Sequence, residues 1–156
     1  MIPFIEKNKN KIKVHCATGS ANDDPLKAFM FGYFKDWQEY QRKKNFSREY
    51  ILSIIYISKN EWLFAGIYKS ISVKEHPYGN GYLYDTELTE IGKEYIGRAV
   101  IGFKKTFRQS YVCLENYLDD LELVALFKEN YKITFPGYEN VDVTWRDLSK
   151  LIYTDS

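Results

Sequence analysis

Seven side chains between positions 38 and 48 carry the densest chemistry in the chain: Gln38, Gln41, Arg42, Lys43, Lys44, Asn45 and Arg48. Amides and guanidinium groups read base edges, and lysines hold phosphates. A second group follows at Arg98, Lys104, Lys105 and Arg108, with no acid from 98 to 109. Together they form the expected DNA-binding set: cations for phosphate, with Gln38, Gln41 and Asn45 for base edges. Aromatic residues supply a possible base pocket. Trp37, Trp62, Tyr68, Tyr78 and Tyr82 are the candidates to stack on an extruded or modified base. Trp62, however, lies in the most apolar run and reads first as core.

Enzymatic chemistry has a weaker basis. Asp85 and Glu87 share a strand face at i, i+2, and such a pair could hold Mg²⁺. Two histidines, His15 and His76, lie too far apart in sequence to suggest a zinc site. His15 falls among lysines in Lys-Ile-Lys-Val-His-Cys and is expected on the polar strand face, away from Ile12, Val14 and Cys16. Cys16 and Cys113 lack CxxC spacing and read as reduced thiols of a cytoplasmic protein.

The elements that must position these groups are mostly strands. Tyr50–Ser58 and Glu61–Tyr68 are rich in β-branched and aromatic residues and are separated by Lys59-Asn60 alone. They read as a central antiparallel hairpin. Gly66 inside the second strand predicts a bulge or a close backbone approach. Further strands are expected at 11–16, 82–88, 98–103, 110–114 and 118–127. The spacing of Phe34, Trp37 and Gln41 predicts a helix over 34–44. Residues 76–82 form a glycine-rich loop tip, residues 89–97 a helical turn at best, residues 135–138 a tight turn and residues 144–152 a capped terminal helix.

At 156 residues the chain fits one domain. Residues 1–10 are expected as a tail, 11–152 as a β-rich recognition domain, and 153–156 as a C-terminal end or linker. The expected class is α+β, a small β-rich barrel of PUA-like kind with a few short helices; the PUA link is an analogy of size and balance. The 22 Lys and Arg residues nearly cancel 21 acids, which excludes a basic coat but not a local patch. From 115 to 142 the balance reverses, with seven acids against two lysines. No segment reads as membrane-spanning.

Gly66-Ile67-Tyr68 and Tyr95-Ile96-Gly97 spell the halves of the GIY-YIG nuclease signature, with 26 residues between them. That separation is too long for a compact nuclease core, and Arg108 and Glu115 are wrongly spaced to complete it. Other phrases resemble the region that precedes the catalytic module in bacterial GIY-YIG nuclease family proteins. They are Trp37-Gln-Glu-Tyr-Gln41, Asn45-Phe-Ser-Arg-Glu-Tyr-Ile51, Glu61-Trp-Leu-Phe-Ala-Gly-Ile-Tyr68 and Phe135-Pro-Gly-Tyr138. The resemblance implies a DNA-binding specificity module for a GIY-YIG type endonuclease in restriction or defence. Its partners would be double-stranded DNA and a C-terminal nuclease domain or partner. No catalytic or metal-binding residue carries over. The chain itself needs no cofactor, and Mg²⁺ would belong to the associated nuclease. The alternatives are a nuclease in its own right and a protein-interaction module.

Overall fold

The computed structural model describes residues 1–19 and 23–127. The turn expected at 135–138 and the helix expected at 144–152 lie outside the described residues. The fold is α+β: a curled, mixed eight-stranded sheet forming a half-barrel, with three short α-helices. The strands are β1 (Ile12–Ala17), β2 (Tyr40–Gln41), β3 (Tyr50–Ser58), β4 (Glu61–Glu75), β5 (Tyr82–Leu88), β6 (Ala99–Gly102), β7 (Tyr111–Cys113) and β8 (Glu122–Leu126). The helices are α1 (Ile2–Lys7), α2 (Pro25–Met30) and α3 (Phe34–Glu39). The main path runs β2-β5-β4-β3-β1-β7, and β6 pairs with both β4 and β8.

The β3–β4 hairpin is the centre of this order. β-Branched and aromatic side chains fill both of its faces, and Asn60 takes the left-handed conformation that the tight turn requires (φ 64°). β4 continues through the 69–75 region as one long strand whose outer half pairs with β5 as a projecting arm. β1 lies parallel to β3, Ile12 opposite Tyr50, a pairing that local patterns do not specify.

Both sheet faces are covered, so the core is double. One cluster packs Leu26, Met30 and Phe34 of the helices on Ile51, Ile55, Leu63, Tyr68 and Tyr84. The other packs Ile5 of α1 on Val14, Leu52, Trp62, Phe64 and Phe103. The first ten residues, expected as a tail, thus contribute a helix whose Ile5 is buried.

Gly66 carries the bulge expected of it. Its φ is +126°, and the β3–β4 register shifts between Ser53 and Ile54. A bulge adds one residue and inverts the side-chain alternation downstream. Before Gly66, Leu63 and Ala65 face the first cluster while Trp62 and Phe64 face the second. After it, Tyr68 faces the first and Ile67 the second.

Two other elements differ from expectation, while the short helical turn expected within 89–97 is present. α3 ends at Glu39 rather than at 44, because Tyr40 and Gln41 turn extended and pair with Leu83 and Tyr82. The 118–127 region opens with a 3-10 turn, Leu118–Asp120, before β8. Residues 89–97 contain only the 3-10 turn Lys93–Tyr95 after a left-handed Gly92. Asp24 caps α2, its carboxylate accepting from the Leu26 and Lys27 amides, with Pro25 opening the first turn.

Candidate nucleic-acid interface

His15 organises the interior beneath the segment that carried the expected base readers. It is 1% exposed, a correction to its placement on a solvent-facing strand side. Strand alternation does put it opposite Val14 and Cys16, but α3 and the following loop roof that side. Its ring stacks on Tyr111 at 4.7 Å and on Trp37 at 6.0 Å, with Phe46 edge-on at 5.5 Å. Its Nδ1 lies 2.7 Å from Gln38 Oε1, which also accepts from the Ser53 hydroxyl. Burial holds the imidazole down at about 4, against the opposing effect of the Gln38 hydrogen bond.

Gln38 is wholly buried and Gln41 is 5% exposed, so neither amide faces solvent. Gln41 Nε2 donates to the Gln38 carbonyl at 2.7 Å. Its Oε1 accepts from Asn45 Nδ2 at 3.0 Å and from the Tyr111 hydroxyl. The amides expected to read bases are therefore internal anchors. They hold the base of the loop that begins at Arg42.

That loop presents Arg42, Lys43 and Lys44 to solvent in succession. Lys44 Nζ lies 5.3 Å from the centroid of the Tyr82 ring, a cation–π contact that steadies its stem. Arg48 is committed elsewhere. It makes a bidentate pair with Glu115 at 2.5 and 2.7 Å and donates to the Lys9 and Ile12 carbonyls. This fastens the end of the loop to the start of β1 and to the turn that follows β7. The guanidinium holds the Glu115 carboxyl down at about 2.

The second cationic group is also partly structural. Arg98 donates to the Phe127 and Glu94 carbonyls, and Lys105 donates to the Phe107 carbonyl at 2.7 Å. Lys104 and Arg108 are exposed. Lys9 and Lys11, which were not among the expected contacts, are exposed beside the Arg48 anchor. Their alternation with Asn10 and Ile12 was the available signal.

The five aromatic residues do not form one pocket. Trp62 is 2% exposed in the second cluster, its indole donating to the Phe103 carbonyl at 3.0 Å. Tyr68 is 5% exposed in the first cluster, on the other side of the sheet. Counting by twos from Trp62 puts Tyr68 on the same face; the Gly66 bulge separates them. Trp37 edges the His15 stack and donates to Asp23. Tyr82 is half-buried under Lys44, and Tyr78 stands 93% exposed at the tip between β4 and β5.

The two signature halves meet although their sequence spacing is long. The Gly97 amide donates to the Phe64 carbonyl at 2.9 Å, and Ile96 lies against Gly66. Glu115, the nearest candidate carboxylate for a nuclease site, is held by Arg48. Asp85 faces Ser72 and Glu87 faces Lys69 across the arm. Among the described residues no cluster of three His, Cys, Asp or Glu side chains is arranged to hold a metal ion. Cys16 and Cys113 are both free thiols. No described helix is long and apolar enough to cross a membrane.

Fold and site together define a small barrel-like α+β module with a braced cationic loop. Comparisons with family models, with curated proteins and with solved structures find no match to this chain.

Proposed function

We propose that the protein is a DNA-binding module that engages the duplex chiefly through its phosphates. The observation behind this reading is the exposed run Arg42, Lys43, Lys44 on a loop braced by the buried Gln38 and Gln41 amides and the half-buried Asn45. Bracing lowers the entropy lost when a cationic loop docks. Phosphate contacts set register and affinity, while base discrimination needs a side chain that enters a groove. Arg42 is the member of the run whose planar fork can read guanine. Exposed Lys9, Lys11, Lys104 and Arg108 supply further charge for an anionic partner.

The resemblance to the region preceding GIY-YIG catalytic modules extends the proposal. On that reading the module delivers target recognition, for a particular or modified base, to an endonuclease of restriction or defence. The curled barrel-like sheet suits the PUA-like analogy, and the Mg²⁺-dependent step would belong to the nuclease.

The test is DNA binding across a salt series with plain, methylated and hydroxymethylated duplexes. The Arg42→Ala, Lys43→Ala, Lys44→Ala protein should bind all of them more weakly. The slope of log K against log salt should lessen by about 1 for each lost contact. Unchanged affinity in the triple variant, or no binding of any duplex at low salt, would overturn the proposal.

A further inference from the structure

Beside the cationic loop, a hairpin tip presents an aromatic ring to water. Residues 76–82 join β4 to β5 and carry no acid. Tyr78 stands at this tip and is 93% exposed. Its ring rests on a fixed base. The His76 amide donates to the Gly81 carbonyl at 3.0 Å and closes the tip. The Tyr78 amide donates to His76 Nδ1 at 3.2 Å, and the two rings meet edge-on at 6.3 Å.

The tip and the loop share one surface because β2 joins them. Tyr40 and Gln41 pair with Leu83 and Tyr82 at the foot of the tip, and Arg42 follows directly. The Tyr40 hydroxyl donates to the Asn80 carbonyl at 2.7 Å, and its ring lies edge-on to His76 at 5.2 Å. Gly81 takes a φ of +128°, where an added Cβ would lie 2.8 Å from the Gln41 carbonyl oxygen. Lys44 reaches back over the Tyr82 ring. Arg42, Lys43 and Lys44 thus stand beside the tip and outnumber Glu75, the acid that precedes it.

We propose that Tyr78 stacks on an unpaired base, so that the module prefers DNA with an open base step to fully paired duplex. This rests on the DNA-binding reading above and names the form of DNA that the same surface takes. Stacking one base on an aromatic side chain strengthens binding by roughly 5- to 150-fold, and every base offers a π-face. Opening an intact step costs a comparable factor or more. One tyrosine therefore does not open paired DNA; it selects a step already open at a mismatch, bulge or strand junction. The held tip lowers the ordering cost of placing the ring. The cations beside it favour a polyanionic partner over an apolar protein surface.

The experiment compares binding of the whole chain to a perfect duplex and to the same duplex with an extra, unpaired adenine. The parent should bind the bulged duplex about tenfold tighter. Tyr78→Phe should keep that ratio. Tyr78→Ala should bring it close to unity, with the salt slope unchanged because no cation is lost. A 2-aminopurine in place of the unpaired adenine should lose fluorescence on binding the parent or Tyr78→Phe, and keep it on binding Tyr78→Ala. Salt-dependent binding without preference for the bulge overturns this inference alone, as does a preference or quenching that survives in Tyr78→Ala. The phosphate reading then stands, and the tip serves another partner such as a protein surface. Absence of binding to either DNA at low salt, or unchanged affinity in the Arg42→Ala, Lys43→Ala, Lys44→Ala protein, overturns both.

Discussion

The Tyr111 hydroxyl donates to Gln41 Oε1 and so joins the two outermost strands of the main sheet path, β7 and β2. Four strands lie between β2 and β7 along the sheet's order, yet curling brings these residues together over His15. The same Gln41 oxygen accepts from Asn45, the far end of the cationic loop. One side chain thus serves both the closing of the half-barrel and the bracing of its most exposed charges.

Tyr111→Phe keeps the ring stacked on His15 and deletes the hydroxyl. Loss of one partly buried hydrogen bond should lower stability by about 1 kcal/mol, read from urea melts. If loop bracing matters for DNA, affinity should fall while the salt slope stays near the parent value, because no cation is lost. An unchanged melt would show that the seam contributes nothing.

His15 makes stability depend on pH. Its folded value of about 4 lies below its ordinary 6.5, chiefly because burial disfavours the charged ring. Between those values the unfolded chain binds a proton there that the folded chain does not. Stability from this group is therefore complete above about pH 6.5 and declines on acidification toward pH 4. The full loss is ~3 kcal/mol. Denaturation series across this window should show the decline in the parent and a flatter profile in His15→Phe.

The Arg48–Glu115 pair acts in a lower window. Glu115 is held at about 2, against an ordinary 4.5, first by its hydrogen bonds to Arg48. Its contribution is present above about pH 4.5 and disappears as pH falls toward 2. Both side chains are partly exposed, so Glu115→Gln at neutral pH should cost under ~1 kcal/mol. Arg48→Ala should cost more, about 1–2 kcal/mol, because the Lys9 and Ile12 carbonyls also lose a donor. Equal costs for the two variants would refute the anchoring role.

Gly66→Ala tests whether the first signature half is structural. An added Cβ would lie 2.8 Å from Leu88 Cδ1 at a φ of +126°, a conformation hostile to alanine. A loss of about 1–3 kcal/mol in thermal or urea unfolding is expected.

Trp62→Ala addresses the core assignment directly. Removing this buried indole should cost ~3–5 kcal/mol and, at the upper end, unfold the protein. A stable Trp62→Ala protein that has lost DNA binding would instead place Trp62 in the recognition surface.

Much of the scaffold was legible in the residues themselves. The β3–β4 hairpin and β5 follow from β-branched and aromatic runs bounded by turn residues, and a glycine within such a run announces a bulge. The site was less legible because its residue types have two uses. Gln38 and Gln41 can read a base or brace a loop, and only their burial decides; Gln38 sits on the buried face of α3, and the pairing of β2 with β5 shortens α3 and leaves Gln41 buried. Strand alternation places His15 opposite Val14, but cannot say that Trp37, Phe46 and Tyr111 cover it. Trp62 and Tyr68 share a face by counting, until one bulge reverses the count. Local sequence determined the strands and the exposed Arg-Lys-Lys run. Tertiary packing decided which polar groups keep water, because burial depends on elements distant in the chain arriving at the same place.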